Sequence, residues 1–118
     1  MPETATAFDV RAPSDHVRVI DITGDVTSAS EKLLMEAYGR ADADGVRAVV
    51  LSFAGLEYMN SGGIGLLARA RTRAIPVTAC GLSAHYREIF EITRLADFMR
   101  ITDDERSALA GAEGSSHA

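Results

Sequence analysis

Phe8 and Val10 alternate with Asp9 and Arg11, the period-two pattern of a strand with one face on a core. Ala12-Pro13-Ser14-Asp15 breaks the alternation, and Val17-Arg18-Val19-Ile20-Asp21-Ile22 resumes it. Two extended runs around a short polar break predict an antiparallel hairpin, its second strand ending at Thr23-Gly24-Asp25. The period then changes. Ser28-Ala29-Ser30-Glu31 has the spacing of a capping box, and Leu33, Leu34, Ala37, Tyr38 and Ala41 recur at helical intervals. A first helix is expected there, stopping near Asp42-Ala43-Asp44-Gly45.

Val46 to Phe53 is apolar without alternation, as in a parallel strand buried on both faces. The stretch Leu56-Glu57-Tyr58-Met59-Asn60-Ser61-Gly62-Gly63-Ile64-Gly65-Leu66-Leu67 then passes from strand to helix. Asn60 or Ser61 can cap the first turn, and the glycines leave its N–H groups sterically open to a ligand, a phosphate or a partner's backbone. A capped junction with no further role is the plainer reading of the same residues. Ile64, Leu67, Ala68 and Arg71 fall on one line of this second helix. Arg69, Arg71 and Arg73 gather at its end, where cations face the negative end of the helix dipole; a basic binding patch is the sharper alternative.

Pro76 stops the helix, and Val77-Thr78-Ala79-Cys80 reads as the next strand, with Cys80 a small core residue. Ser83 can cap a third helix whose face carries Tyr86, Ile89, Phe90 and Thr93, and Phe98 to Ile101 reads as a last edge strand. Thr102-Asp103-Asp104-Glu105 is a second capping box, opening a short helix through Leu109. The order after the hairpin is a βα alternation, so the fold class is α/β: a mixed sheet, antiparallel at first and then parallel, layered with about four helices. Residues 1–110 form one domain in this reading, and residues 111–118 a polar, disordered tail.

A chain of 118 residues holds one core and leaves no room for a nucleotide-binding domain plus a substrate domain. Its 12 basic and 17 acidic residues give a net charge of −5, which opposes binding to nucleic acid. The single cysteine, Cys80, cannot form an internal disulfide, and Met1-Pro2-Glu3-Thr4 shows neither a basic start nor an apolar leader, so a cytoplasmic location is expected. No apolar run approaches the roughly 20 residues of a membrane span, so no direct membrane insertion is expected.

Gly63-Ile64-Gly65-Leu66-Leu67-Ala68 matches a dinucleotide fingerprint in form, but the acidic residue that should follow about 20 residues on is missing. The next strand ends in Cys80-Gly81-Leu82-Ser83. No Walker lysine follows the glycines, and Asn60-Ser61-Gly62 lacks the preceding glycine of a nucleophile elbow. His16, His85 and His117 have no ligand partners at metal spacing and read as surface residues. Neither cofactor nor metal is expected, and no enzymatic activity.

With the central turn in view, residues 6–110 resemble the STAS domain, the family of bacterial anti-sigma factor antagonists and of the cytoplasmic domains of sulfate transporters. The resemblance rests on Ile22-Thr23-Gly24-Asp25-Val26, on Val49-Val50-Leu51-Ser52-Phe53, and on Tyr58-Met59-Asn60-Ser61-Gly62-Gly63-Ile64-Gly65, which is similar to the family's D-S-[ST]-G-[LI]-G. Gly81-Leu82-Ser83 and Phe90-Glu91-Ile92-Thr93-Arg94-Leu95 fit its third-helix region. It implies a non-enzymatic partner-binding module with a phosphorylatable Ser or Thr at the start of the second helix. The implied partner is a serine kinase that doubles as an anti-sigma factor.

Three positions depart from the family pattern. Asn60 replaces the aspartate, Gly62 stands where the phosphoacceptor hydroxyl should be, and Arg94 stands where many members carry a glycine. The second helix is also shorter than usual by about one turn of roughly 3.6 residues. Ser61 is then the candidate phosphoacceptor, and Gly24, Asp25, Asn60, Ser61, Gly62 and Gly63 are the candidate partner-binding residues, joined by the exposed face of the second helix. A chain without the acceptor hydroxyl could bind its partner constitutively. The alternative is an accessory STAS subunit of a transporter or signalling assembly.

Overall fold

The computed structural model describes residues 6–69, 75–97 and 99–114. Strand β1 (Ala7–Arg11) pairs antiparallel with β2 (Val17–Val26), Phe8 opposite Ile22 and Val10 opposite Ile20. This is the expected hairpin. Strand β3 (Ala48–Met59) lies parallel to β2, followed by β4 (Val77–Cys80) and β5 (Arg100–Ile101), in the order β1-β2-β3-β4-β5. The helices are α1 (Glu31–Ala41), α2 (Ser61–Arg69), α3 (Ala84–Ile92) and α4 (Glu105–Gly114). Among the described residues no helix is long and apolar enough to cross a membrane.

Alternation along the strands splits the apolar residues between two faces of the sheet. On one face Ile20, Ile22, Leu51 and Phe53 pack with Leu34 and Tyr38 of α1, Leu66 and Leu67 of α2, and Phe90 of α3. Phe53 and Phe90 meet edge to face, ring centroids 5.8 Å apart, a geometry the aromatic quadrupole favours. On the other face Val17, Val19, Ala48, Val50 and Cys80 form a smaller cluster with Ala108 of α4. Cys80 is buried, as expected of a core residue.

Several boundaries differ from the sequence reading. β2 does not stop at Thr23-Gly24-Asp25 but continues to Val26, and β3 runs on through Leu56-Glu57-Tyr58 to Met59. The pairing slips between Asp21 and Thr23, opposite Ser52 and Gly55, and again between Gly24 and Asp25, opposite Leu56 and Tyr58. β3 carries one extra residue at each slip, so these are bulges. Gly24, at φ 82°, is thus a kink within a strand, where its sequence context suggested a strand end.

The first cap also lies elsewhere. Thr27, not Ser28, accepts the Ala29 N–H at 3.2 Å and donates its own N–H to Ser30 Oγ at 3.1 Å, capping a short 3-10 turn, Ser28–Ser30, that leads into α1. Leu33 turns outward, 40% exposed, leaving Leu34, Ala37, Tyr38 and Ala41 as the buried stripe. In α2 the buried pair is Leu66 and Leu67, with Ile64 and Ala68 half-buried; Arg71 and Arg73 lie outside the described residues. Ser83 caps α3 as expected, accepting the Tyr86 N–H at 3.3 Å. Asp104, rather than Thr102, caps α4 by accepting the Ser107 N–H at 2.8 Å, which holds its carboxyl below the usual range. That helix runs past Leu109 to Gly114; Phe98 and residues 115–118 of the expected tail lie outside the described residues.

Candidate functional site

β2 and β3 run parallel and end side by side, Asp25 opposite Tyr58 and Val26 opposite Met59. The two sequence stretches singled out, Gly24-Asp25 and Asn60 to Gly63, therefore meet at the carboxyl end of the sheet, where open α/β sheets gather their sites. Asn60 ties them together. Its N–H donates to the Val26 carbonyl at 3.3 Å, its Oδ1 accepts the Gly63 N–H at 2.9 Å, and its carbonyl accepts the Ile64 N–H at 3.0 Å. Asn60 is thus the N-cap of α2, and Ser61 is the first helical residue.

The glycines of the turn do different work. A Cβ on Gly63 would lie 2.3 Å from the Val26 carbonyl oxygen and 3.0 Å from Met59 Cγ, so the first turn of α2 sits directly on the end of β2. A Cβ on Gly62 would lie 3.2 Å from both Cβ and N of Ser28, against the 3-10 turn. Gly24 and Gly63 are buried, Asp25, Asn60 and Gly62 are half-buried, and Ser61 is exposed. By helix geometry the Ser61 and Gly62 N–H groups have no intrahelical acceptor, whereas Asn60 Oδ1 already occupies that of Gly63.

Three supports of the turn were not singled out from the sequence. The Met59 N–H donates to Tyr86 Oη at 2.9 Å, so α3 closes the edge of β3 beyond the reach of β4, whose pairing covers only Val49 to Ser52. Ser28 underlies Gly62, and Thr6 Oγ1 donates to the Asp25 carbonyl at 2.6 Å. Tyr86 was legible only as part of an apolar helix face, because its partner is 27 residues away in sequence.

From Ser61 to Ala68 helix α2 carries no charged residue. Exposed Tyr58 and half-buried Asp25 flank it on the paired strand ends. Of this run Ser61 is exposed, Gly62, Ile64, Gly65 and Ala68 are half-buried, and Gly63, Leu66 and Leu67 are buried, so its outer surface is the first turn and the small side chains beside it. Among the described residues no group of three or more His, Cys, Asp or Glu side chains could hold a metal ion. His16 instead lies with Nδ1 3.1 Å from the Gly45 carbonyl.

The same fold occurs in solved anti-sigma factor antagonists. One from Mycobacterium paratuberculosis is 22% identical, with a TM-score of 0.71 over 92% of this chain and 95% of that one. A STAS-domain antagonist from Planctomyces limnophilus is 18% identical, with a TM-score of 0.67 over 92% and 99%. The phosphorylated form of the Bacillus cell fate determinant SpoIIAA is 19% identical, with a TM-score of 0.56 over 88% and 97%. No protein of curated function matches the sequence. The family described as "Mlab, STAS domain" matches residues 10–102, most of the chain and all of the described sheet except the start of β1. With that match, and a sheet of one antiparallel and three parallel pairings, the chain belongs to the STAS domain family.

Proposed function

We propose that this chain is a non-enzymatic cytoplasmic regulator that docks an anti-sigma factor of the serine-kinase type through the carboxyl end of its sheet. The observation that carries the reading is the uncharged run Ser61 to Ala68, held at that end by the Asn60 cap. Asp25, Asn60, Ser61 and Gly62 supply the contact surface in this proposal, while buried Gly24 and Gly63 shape it. Solved proteins of the same fold are anti-sigma factor antagonists, which favours a partner of this class.

One of those relatives is described in a phosphorylated form. Here Gly62 offers no hydroxyl, and exposed Ser61 is the hydroxyl of the turn. A phosphate on this surface would add about −1.5 to −2 charges where a partner docks. Without an acceptor at Gly62 the chain stays bound in the presence of ATP.

The test is capture of a purified serine-kinase-type anti-sigma protein, with and without ATP, followed by mass spectrometry. The expected result is a complex that survives ATP and carries no phosphate. Stoichiometric phosphate on Ser61 with release of the partner would overturn constitutive binding, and failure of any such protein to bind would overturn the partner class. Gly62→Ser tests the acceptor position itself, at a known cost: its Cβ comes 3.2 Å from Ser28, so the 3-10 turn must yield by a few tenths of an ångström.

A further inference from the structure

The two faces of the sheet are covered very unequally. Three helices close the main core, whereas α4 covers the second face, and of its described apolar side chains Ala108 is buried and Leu109 half-buried, with Glu105 half-buried beside them. Arg106, Ser107 and Ala110 face solvent. Beneath the helix lie Val17, Val19, Ala48, Val50 and Cys80. Among the described side chains of α4, Ala108 and Leu109 supply its apolar contact with this cluster.

Its polar attachment converges on one side chain from the opposite end of the sheet order. Arg11 of β1 donates to both carboxylate oxygens of Glu105, at 2.7 and 3.2 Å. The same guanidinium also bonds both carboxylate oxygens of Asp21. Such two-pronged pairs are stronger and more directional than single contacts. On the other flank the Arg100 side chain reaches α4, its Nη1 3.0 Å from where a Gly111 Cβ would stand. All these charges are near the surface, where salt screens them.

We propose that α4 is a detachable cover, clamped by Arg11, that opens from the sheet as a unit while the main core stays closed and uncovers Val17, Val19, Val50 and Cys80. Segments with few buried apolar contacts open locally well below the free energy of global unfolding. Cys80 reports the opening without taking part in it. Burial pushes its thiol pKa up, so the covered thiol is inert, and it is the only cysteine in the chain.

The experiment measures labelling of Cys80 by an aromatic disulfide reagent in the full chain, across low urea concentrations and two salt concentrations. Local opening gives a labelling rate nearly independent of urea well below the global midpoint, rising with salt. Arg11→Ala should raise that rate about fivefold at low salt, the order expected of a strong surface pair. Ile22→Val lowers global stability from the main core alone and should leave the low-urea rate unchanged. The proposal fails if labelling follows the urea slope of global unfolding throughout. It fails equally if Ile22→Val accelerates labelling as much as Arg11→Ala, or if Arg11→Ala labels at the native rate.

Discussion

Two glycines in helices show how one missing methyl can have opposite meanings. Alanine is the better helix former by about 1 kcal/mol, so both Gly39 and Gly63 are suboptimal by propensity. Around Gly39 in α1 nothing lies within 4 Å of a built Cβ, and Gly39→Ala should raise stability by about 0.5–1 kcal/mol. At Gly63 the same methyl would stand 2.3 Å from backbone that cannot step aside, and Gly63→Ala should lower stability by about 2 kcal/mol. Urea midpoints of the two variants should move in opposite directions; a shared sign would mean that α2 is not seated on the end of β2. Tyr38 poses a different case, a hydroxyl that is 8% exposed at the residue level and has no hydrogen-bond partner. Burial pushes its pKa from 10.0 up to about 12, so the folded state holds the proton more tightly than the unfolded chain. Stability from this group is complete below about pH 10 and is lost as pH rises toward about 12. Tyr38→Phe should remove that alkaline loss while costing almost nothing at neutral pH, because no bond is broken. Denaturation curves at about pH 8 and about pH 11.5 would check it, and an alkaline decline as steep in the variant would exclude Tyr38 as its source.

The elements were legible in kind and order, and much less so in extent. Every expected strand and helix has its counterpart, because the change from period two to period 3.6 is written in burial, and burial is what the sheet and its helices share. Strand ends differ from the sequence expectation where glycine and aspartate do two jobs. Gly24-Asp25 has turn chemistry, yet Gly24 takes φ 82° inside β2 at a bulge; Ala54-Gly55-Leu56-Glu57 lost its alternation because two bulges shift the pleat of β3. At the candidate site, a cap at Asn60 or Ser61 is readable from a short-range pattern, and the Gly63 N–H bond to Oδ1 identifies Asn60. The Ser28 and Tyr86 supports are not readable in this way, since they depend on how β2, β3 and α3 are placed in space. One departure from the family pattern acquires a physical meaning at the end of α3. Arg94 takes φ 69°, a left-handed conformation that suits glycine, and its ion pair with Asp97 is largely exposed and adds little. Arg94→Gly should therefore stabilise the fold by about 0.5–1 kcal/mol, visible as a higher thermal midpoint. A lower midpoint would show that the Asp97 pair outweighs the backbone strain.

At the scale of the molecule, stability and the proposed recognition occupy different places, and this allows them to be separated by substitution. The main core lies between the helices and one face of the sheet, while the proposed docking surface is a rim of Asp25, Asn60, Ser61 and Gly62 at its carboxyl end. Leu67 is fully buried in that core, and Leu67→Ala should cost about 2–5 kcal/mol and reduce binding only by depleting the folded population. Ser61 is exposed at the first position of α2, where a carboxylate interacts favourably with the helix dipole. Ser61→Glu should hold stability level or raise it by about 0.3–1 kcal/mol, and the same charge would add a second carboxylate, beside Asp25, to the proposed docking rim at the start of a helix that is uncharged from Ser61 to Ala68. Burying that carboxylate against a partner without a matching cation is costly, so capture of the anti-sigma protein should weaken about tenfold or more. Thermal unfolding and equilibrium binding of the same preparation decide the matter together: Ser61→Glu with a native or higher midpoint and native affinity would place the docking surface elsewhere on the fold, whereas an unimpaired midpoint with lost affinity assigns recognition to the turn.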